Sequence, residues 1–183
     1  MIAKGLDLPL VTLVGAIAAD VGMFLPDFRS SERTFQLLTQ VAGRAGRSEL
    51  GGEVVVQTYH PDHYAILAAS EHDYAGFYRE EMAFRRQQAY PPLRRLARPV
   101  CHHGQRAKAQ AEAQQLADVL RDRIAELALP DTDLIGPAPC FFTRQRGEWR
   151  WQILVRGPHP AALLRHVALA PSWRLDIDPI DLL

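Results

Sequence analysis

The sequence predicts an α/β protein in two parts, the closing strand–helix–strand piece of a parallel sheet followed by a small α+β domain. Three observations predict it. Val11–Ile17 is an apolar run rich in β-branched residues, the pattern of a strand buried on both faces. A periodic helical stretch and a second β-forming run, EVVVQTY at Glu53–Tyr59, follow it, which is how an α/β sheet closes. From residue 93 onward the pattern reads β-α-β-β-α-β, the ferredoxin-like split arrangement.

Taken in order, a loop with Gly22, Pro26 and Asp27 follows the first strand. Ser30 or Ser31 then caps a helix carrying Phe35, Leu38 and Val41 or Ala42 at three- and four-residue spacing, ending at Gly43–Arg47. Beyond the second strand, residues 62–89 are expected to be helical. Their aromatics Tyr74, Phe77, Tyr78 and Phe84 suit core packing at that spacing, and can also stack on nucleic-acid bases. Pro91-Pro92 breaks the helix and marks a domain boundary. The second part reads as strand 93–102, helix 106–128, strands 133–142 and 149–156, helix 159–168 and strand 173–178. The long helix rests on an apolar stripe of Ala107, Ala111, Leu116, Val119, Leu120, Ile124 and Leu127. Pro99 lacks a ladder donor, so its strand is expected at a sheet edge or shorter than drawn.

Composition excludes several classes. With 183 residues and 48% apolar content the chain can bury a core. Its longest apolar run, Leu8–Ala19, is interrupted by Pro9, Thr12 and Gly15 and is too short to cross a bilayer. No basic stretch precedes a short apolar core at the N-terminus, so a cytoplasmic protein is expected. Formal net charge is zero, and any nucleic-acid contact must come from local patches. All basic residues are arginine except Lys4 and Lys108; this suits bidentate phosphate recognition, or is a compositional bias of the source. Cys101 and Cys140 match neither a disulfide framework nor a zinc spacing. On a strand, Cys101, His102 and His103 point to alternate faces and cannot converge on one ion, so no metal site is assigned. His60 and His63 read as loop and helix-start residues.

The chemistry concentrates in Gln40–Arg47, QVAGRAGR, at the end of the first helix. Arg44 and Arg47 can present two guanidinium groups on one side of a tight turn and neutralise charge developing on a transferred phosphoryl group. The same residues can instead be a helix C-cap with favourable dipole interactions. In the second part, Arg144, Arg146 and Arg150 with Trp149 or Trp151 combine phosphate attraction with a possible stacking surface. The alternative is that strand alternation buries Trp151 and leaves the arginines in water.

The string Q-x-x-G-R-x-G-R resembles motif VI of superfamily 2 helicases, and MIAKGLDLPLVTLV resembles their motif V at the spacing of that family. DFRSSER, EVVVQTYHPDHYAI, Tyr90-Pro91-Pro92, GPAP at Gly136–Pro139, RWQIL at Arg150–Leu154 and the terminal LDIDPIDLL extend the likeness over nearly the whole chain to the PriA family of replication-restart helicases. Within it, PVCHHG replaces a usually more apolar strand. The resemblance implies that residues 1–62 are the remainder of a RecA-like helicase lobe, residues 63–90 a helical connector and residues 91–183 an α+β DNA-binding domain. It implies an arginine finger at Arg47, a second γ-phosphate contact at Arg44 and a polar nucleotide or coupling contact at Gln40. Gly5, Asp7 and Gly43 would lie at the nucleotide, with Lys4 a DNA contact. ATP and Mg2+ are the implied ligands, and the zinc of the intact family has no ligands in this chain. Implied partners are DNA forks with their single-stranded and duplex arms, primosome proteins and single-stranded-DNA-binding protein, with no membrane and a nucleoid association. The sequence contains no G-x-x-x-x-G-K-[ST] phosphate loop. It is therefore read as a C-terminal fragment of a 3′-to-5′ DNA helicase, inactive as an ATPase by itself; the rival reading is a non-catalytic fork-binding module that keeps a motor remnant.

Overall fold

A computed structural model describes residues 12–45, 52–165 and 167–183. The chain divides into two compact units between Phe84 and Arg85. The first carries strand β1 (Leu13–Ala16), helices α1 (Asp20–Met23) and α2 (Ser30–Ala45), strand β2 (Glu53–Val56), helix α3 (Tyr64–Ser70) and most of helix α4 (Tyr74–Gln87). Strands β1 and β2 pair in parallel, Leu13 with Glu53 through Ala16 with Val56. The first strand was expected to be buried on both faces. Leu13 is instead exposed, because the described sheet has two strands and half of each lies open to solvent.

Helix α2 starts at Ser30, but its hydroxyl does not serve as the expected cap. It donates to the Leu25 carbonyl, and buried Asp27 accepts the Arg29 amide at 2.9 Å. Phe35 and Leu38 enter a core that also holds Met23, Ala65, Ile66 and Phe77, with the Phe35 and Phe77 rings stacked at 4.1 Å. Residues 62–89 form two helices rather than one. His72 takes a left-handed φ of 54°, and Asp73 accepts the Gly76 amide to restart the chain as α4. His63 is the N-cap of α3, its Nδ1 accepting the Ala65 amide. Since α3 and Phe77 of α4 share the core of α2, these helices belong to the first compact unit.

The second unit contains strand β3 (Arg95–His103), helix α5 (Arg106–Glu126), strands β4 (Asp133–Gln145) and β5 (Glu148–Gly157), helix α6 (Pro160–Leu164) and strand β6 (Trp173–Ile177). The sheet order is β4-β5-β3-β6, and the three pairings are antiparallel. This is the split arrangement that the element order β-α-β-β-α-β leads to. Ala97, Ile153 and Val155 pack against Leu116, Ala117 and Leu120 of α5, while Cys101 and Trp151 meet Ala109 and Ala113. Each large apolar side chain buried here contributes roughly 1.5–3 kcal/mol relative to exposure. A one-residue slip would turn Ile153 and Val155 outward, so the register is strongly specified.

Pro99 does not put β3 at an edge. The strand is interior, and the sheet accommodates the missing donor locally: pairing with β5 skips Arg98 and Pro99, while pairing with β6 continues through both. On the face away from α5, buried Arg98 donates to Gln152 at 2.7 Å and to the carbonyls of Asp181 and Leu183, drawing the last residues over the sheet.

Candidate nucleic-acid interface

Strands β4 and β5 are joined by a two-residue turn, with Gln145 opposite Glu148 and positive φ at both Arg146 and Gly147. Positive φ at both central residues gives a hairpin turn whose twist matches that of the strands. It places Arg146, exposed, at the tip. Behind it, Arg144 faces Trp149 across the ladder with its guanidinium 5.6 Å over the ring. A second cation comes from Arg106, the first residue of α5, 5.7 Å from Trp149 and 5.8 Å from Trp151. Trp151 is buried and Trp149 half-buried, so Trp149 is the indole that keeps partial access to solvent.

Alternation sends Arg150 to the face away from α5, opposite His102 on β3, and Arg174 on β6 lies alongside. Arg150 Nη1 donates to the Phe142 carbonyl at 3.4 Å, while its buried Nε has no hydrogen-bond partner among the described residues. Burial, and then the Arg174 and Arg150 charges, hold His102 below the usual histidine range despite Glu148 at 3.5 Å. The hairpin thus carries guanidinium groups to both faces of the sheet. One rim of this unit combines fixed cations with accessible rings, the combination that attracts phosphates and stacks bases.

Of the residues singled out from sequence, Arg144, Arg146 and Arg150 are brought together here. Gln40 and Gly43 lie exposed along α2 in the other unit, and Arg44 falls in its last turn. Lys4, Gly5, Asp7 and Arg47 lie outside the described residues. Sequence reasoning missed Arg106, Arg174 and the Phe141-Phe142 pair. The pair carried a signal, because two consecutive phenylalanines on an alternating strand cannot both face one core.

Cys101 lies under α5, where burial and then the Glu112 carboxylate push its thiol up to about 12. Cys140 sits beside Arg98 and Arg150, its thiol raised by burial. Neither offers a ready thiolate, and among the described residues no three of His, Cys, Asp and Glu gather as a metal site. No described helix is long and apolar enough to cross a membrane.

Residues 86–180 match the family model described as primosomal protein N C-terminal domain. The chain is 47% identical over 156 residues to the replication restart protein PriA of Bacillus subtilis, a match covering 85% of this chain and 19% of the relative. It is 42% identical over 193 residues to that of Treponema pallidum, with 100% and 29% covered. For the Synechocystis protein the figures are 37% over 190 residues, with 100% and 22% covered. The matched region thus spans between about a fifth and under a third of the length of these relatives. These likenesses show one family: the chain belongs to the PriA replication restart proteins and carries their C-terminal domain.

Proposed function

We propose that this chain supplies DNA contacts to a replication-restart helicase, through the arginine-rich hairpin of its second unit. The observation that carries this reading is the rim where Arg106 and Arg144 address Trp149 and Arg146 stands at the turn. Phosphate contacts from these guanidiniums would bind DNA independently of sequence, and indole access would favour exposed bases. Forks, with single-stranded and duplex arms, are the proposed substrate. Primosome proteins and single-stranded-DNA-binding protein are the partners that the family suggests.

Residues 1–62 are proposed to be the end of a RecA-like lobe, with residues 63–90 leading to a DNA-binding domain at 91–183. Arg47 acts there as arginine finger toward ATP and Mg2+, with Arg44, Gln40, Gly43, Gly5 and Asp7 around the nucleotide and Lys4 toward DNA. What supports this is the string QVAGRAGR. Of the described part, the exposed Gln40 and the open space beside Gly43 fit a surface that receives a nucleotide held elsewhere. When bound, Mg2+ would neutralise phosphate charge, and the guanidiniums would add to it as the terminal phosphoryl group transfers.

A second reading, a fork-binding module without motor activity, is favoured by the hairpin's lying wholly within the second unit. Both are tested on one sample of the 183-residue chain, by titrating labelled single-stranded, duplex and forked DNA over a salt series while assaying ATP turnover. DNA affinity should fall steeply with salt. Absence of binding at low salt, or binding indifferent to salt, would sink the DNA reading; DNA-stimulated turnover by this chain alone would remove the module reading.

A further inference from the structure

We propose that Phe141 and Phe142 form a stacking platform for unpaired bases, directing the adjacent arginine hairpin toward single-stranded DNA. The inference rests on the DNA-binding reading above and names the form of DNA that the surface prefers. Strand β4 is an edge strand, and its ladder with β5 breaks between Pro139, opposite Trp151, and Arg144, opposite Trp149. Cys140–Thr143 therefore stand against Arg150 alone. A bulge of this kind re-aims side chains that regular pairing would hold to one face or the other.

This bulge is built. Cys140 is buried at its start, the Thr143 hydroxyl donates to the Cys140 carbonyl at 3.1 Å, and Arg150 Nη1 donates to the Phe142 carbonyl. Yet the two rings it carries are 47% and 54% exposed and touch each other edge to face at 5.0 Å. Large apolar side chains held open on a secured backbone mark a contact surface.

Charge identifies the occupant. Arg144 follows the pair directly, Arg146 stands at the turn, and Arg150 bonds the bulge itself; Glu148 is the one carboxylate in the hairpin from Arg144 to Arg150. An anionic polymer that also presents flat rings satisfies both features. Duplex DNA hides the faces of its bases in its own stack, whereas a single strand presents them, and stacking on aromatic rings tolerates any base.

The test compares the 183-residue chain with Phe141→Ala/Phe142→Ala, Phe141→Leu/Phe142→Leu and Phe141→Tyr/Phe142→Tyr variants. The probes are a labelled oligothymidylate of about 20 nucleotides, an abasic strand of equal length and a duplex; the circular dichroism and melting of each variant are recorded alongside. Affinity for oligothymidylate should fall about 10- to 100-fold in the alanine and leucine variants and return with tyrosine, since stacking needs a ring. Affinity for the abasic strand and the duplex should barely move. The platform is overturned if the leucine variant binds oligothymidylate like the parent, or if abasic and thymidine strands lose affinity equally. It is likewise overturned if the variants change self-association and leave DNA affinity intact, which would make the rings a protein contact. Loss of binding in Arg144→Ala and Arg146→Ala with none in the phenylalanine variants removes the platform and leaves the DNA reading standing. A parent that binds no DNA removes both.

Discussion

Arg144 and Trp149 are cross-strand partners at the turn end of the β4–β5 ladder, and the guanidinium lies over the indole. The contact orients a cation at the solvent edge, where a cation–π pair stabilises by only about 0.5–1 kcal/mol. Arg144→Ala should therefore cost little stability. It should reduce the slope of log affinity against log salt by about 1 for any DNA sequence, as loss of one phosphate contact does. Salt titrations of parent and variant check this, and an unchanged slope would show that Arg144 makes no phosphate contact.

Arg146 occupies a left-handed conformation, φ 52°, that asparagine and glycine tolerate better. Arg146→Asn should thus stabilise the chain by up to about 1 kcal/mol while weakening DNA binding. Chemical denaturation and DNA titration on the same preparation read both effects. A variant that is less stable than the parent would show that the arginine adds stability at the turn by another route.

The element order of the second unit was legible because its helices and strands have distinct periods and strong apolar stripes. The position of β3 was not. Pro99 argued for an edge or a shorter strand, but loss of one donor is tolerated where the ladder to β5 is skipped locally, and burial of Leu96, Ala97 and Val100 keeps the strand inside. The break between α3 and α4 was missed because Glu71-His72-Asp73 contains neither glycine nor proline; it depends on backbone conformation at His72 and on the Asp73 carboxylate. Arg144, Arg146 and Arg150 were recognisable as a cluster within seven residues, whereas Arg106 and Arg174 join them only through the fold.

Burial, the leading cause at both sites, holds His63 and His102 below the ordinary histidine value. The unfolded chain then takes up protons that the folded chain resists, so stability should decline as pH falls below about 6.5 and level off beneath the folded-state values. For His63 the loss includes the acceptor that caps α3. His63→Asp retains an acceptor and should flatten part of the decline. Urea midpoints taken across this range decide it; stability that rises toward acid would contradict the direction of both shifts.

Cys101, with its thiol pushed up to about 12 and its sulfur under α5, should resist alkylation at neutral pH until the second unit opens. Labelling followed by mass spectrometry should show modification tracking global unfolding by denaturant. Rapid modification of the folded chain would place Cys101 in a more accessible setting.

The proposed finger is testable in a chain extended by the remaining part of the family's motor. Arg47→Ala should leave ATP binding nearly intact and lower kcat by ~10³ to 10⁵, with lysine rescuing poorly because it lacks the planar fork. If Arg47 only caps the helix, melting temperature falls and turnover per folded molecule stays constant. Nucleotide affinity, turnover and melting measured together separate these outcomes.

Because β3 is interior, one of its two neighbours is the last strand, and Ala97 must find Ile177 roughly 80 positions away before the sheet closes. The carbonyls that Arg98 bonds at Asp181 and Leu183 come later still. A ribosome that has released α5, β4 and β5 has produced a three-stranded sheet with one flank of β3 unpaired and the Arg98 side chain without the carbonyls it bonds. Such an intermediate is prone to intermolecular strand pairing. The unit therefore stays open until the segment from β6 onward joins it, and its folding yield should depend on how quickly that segment is delivered.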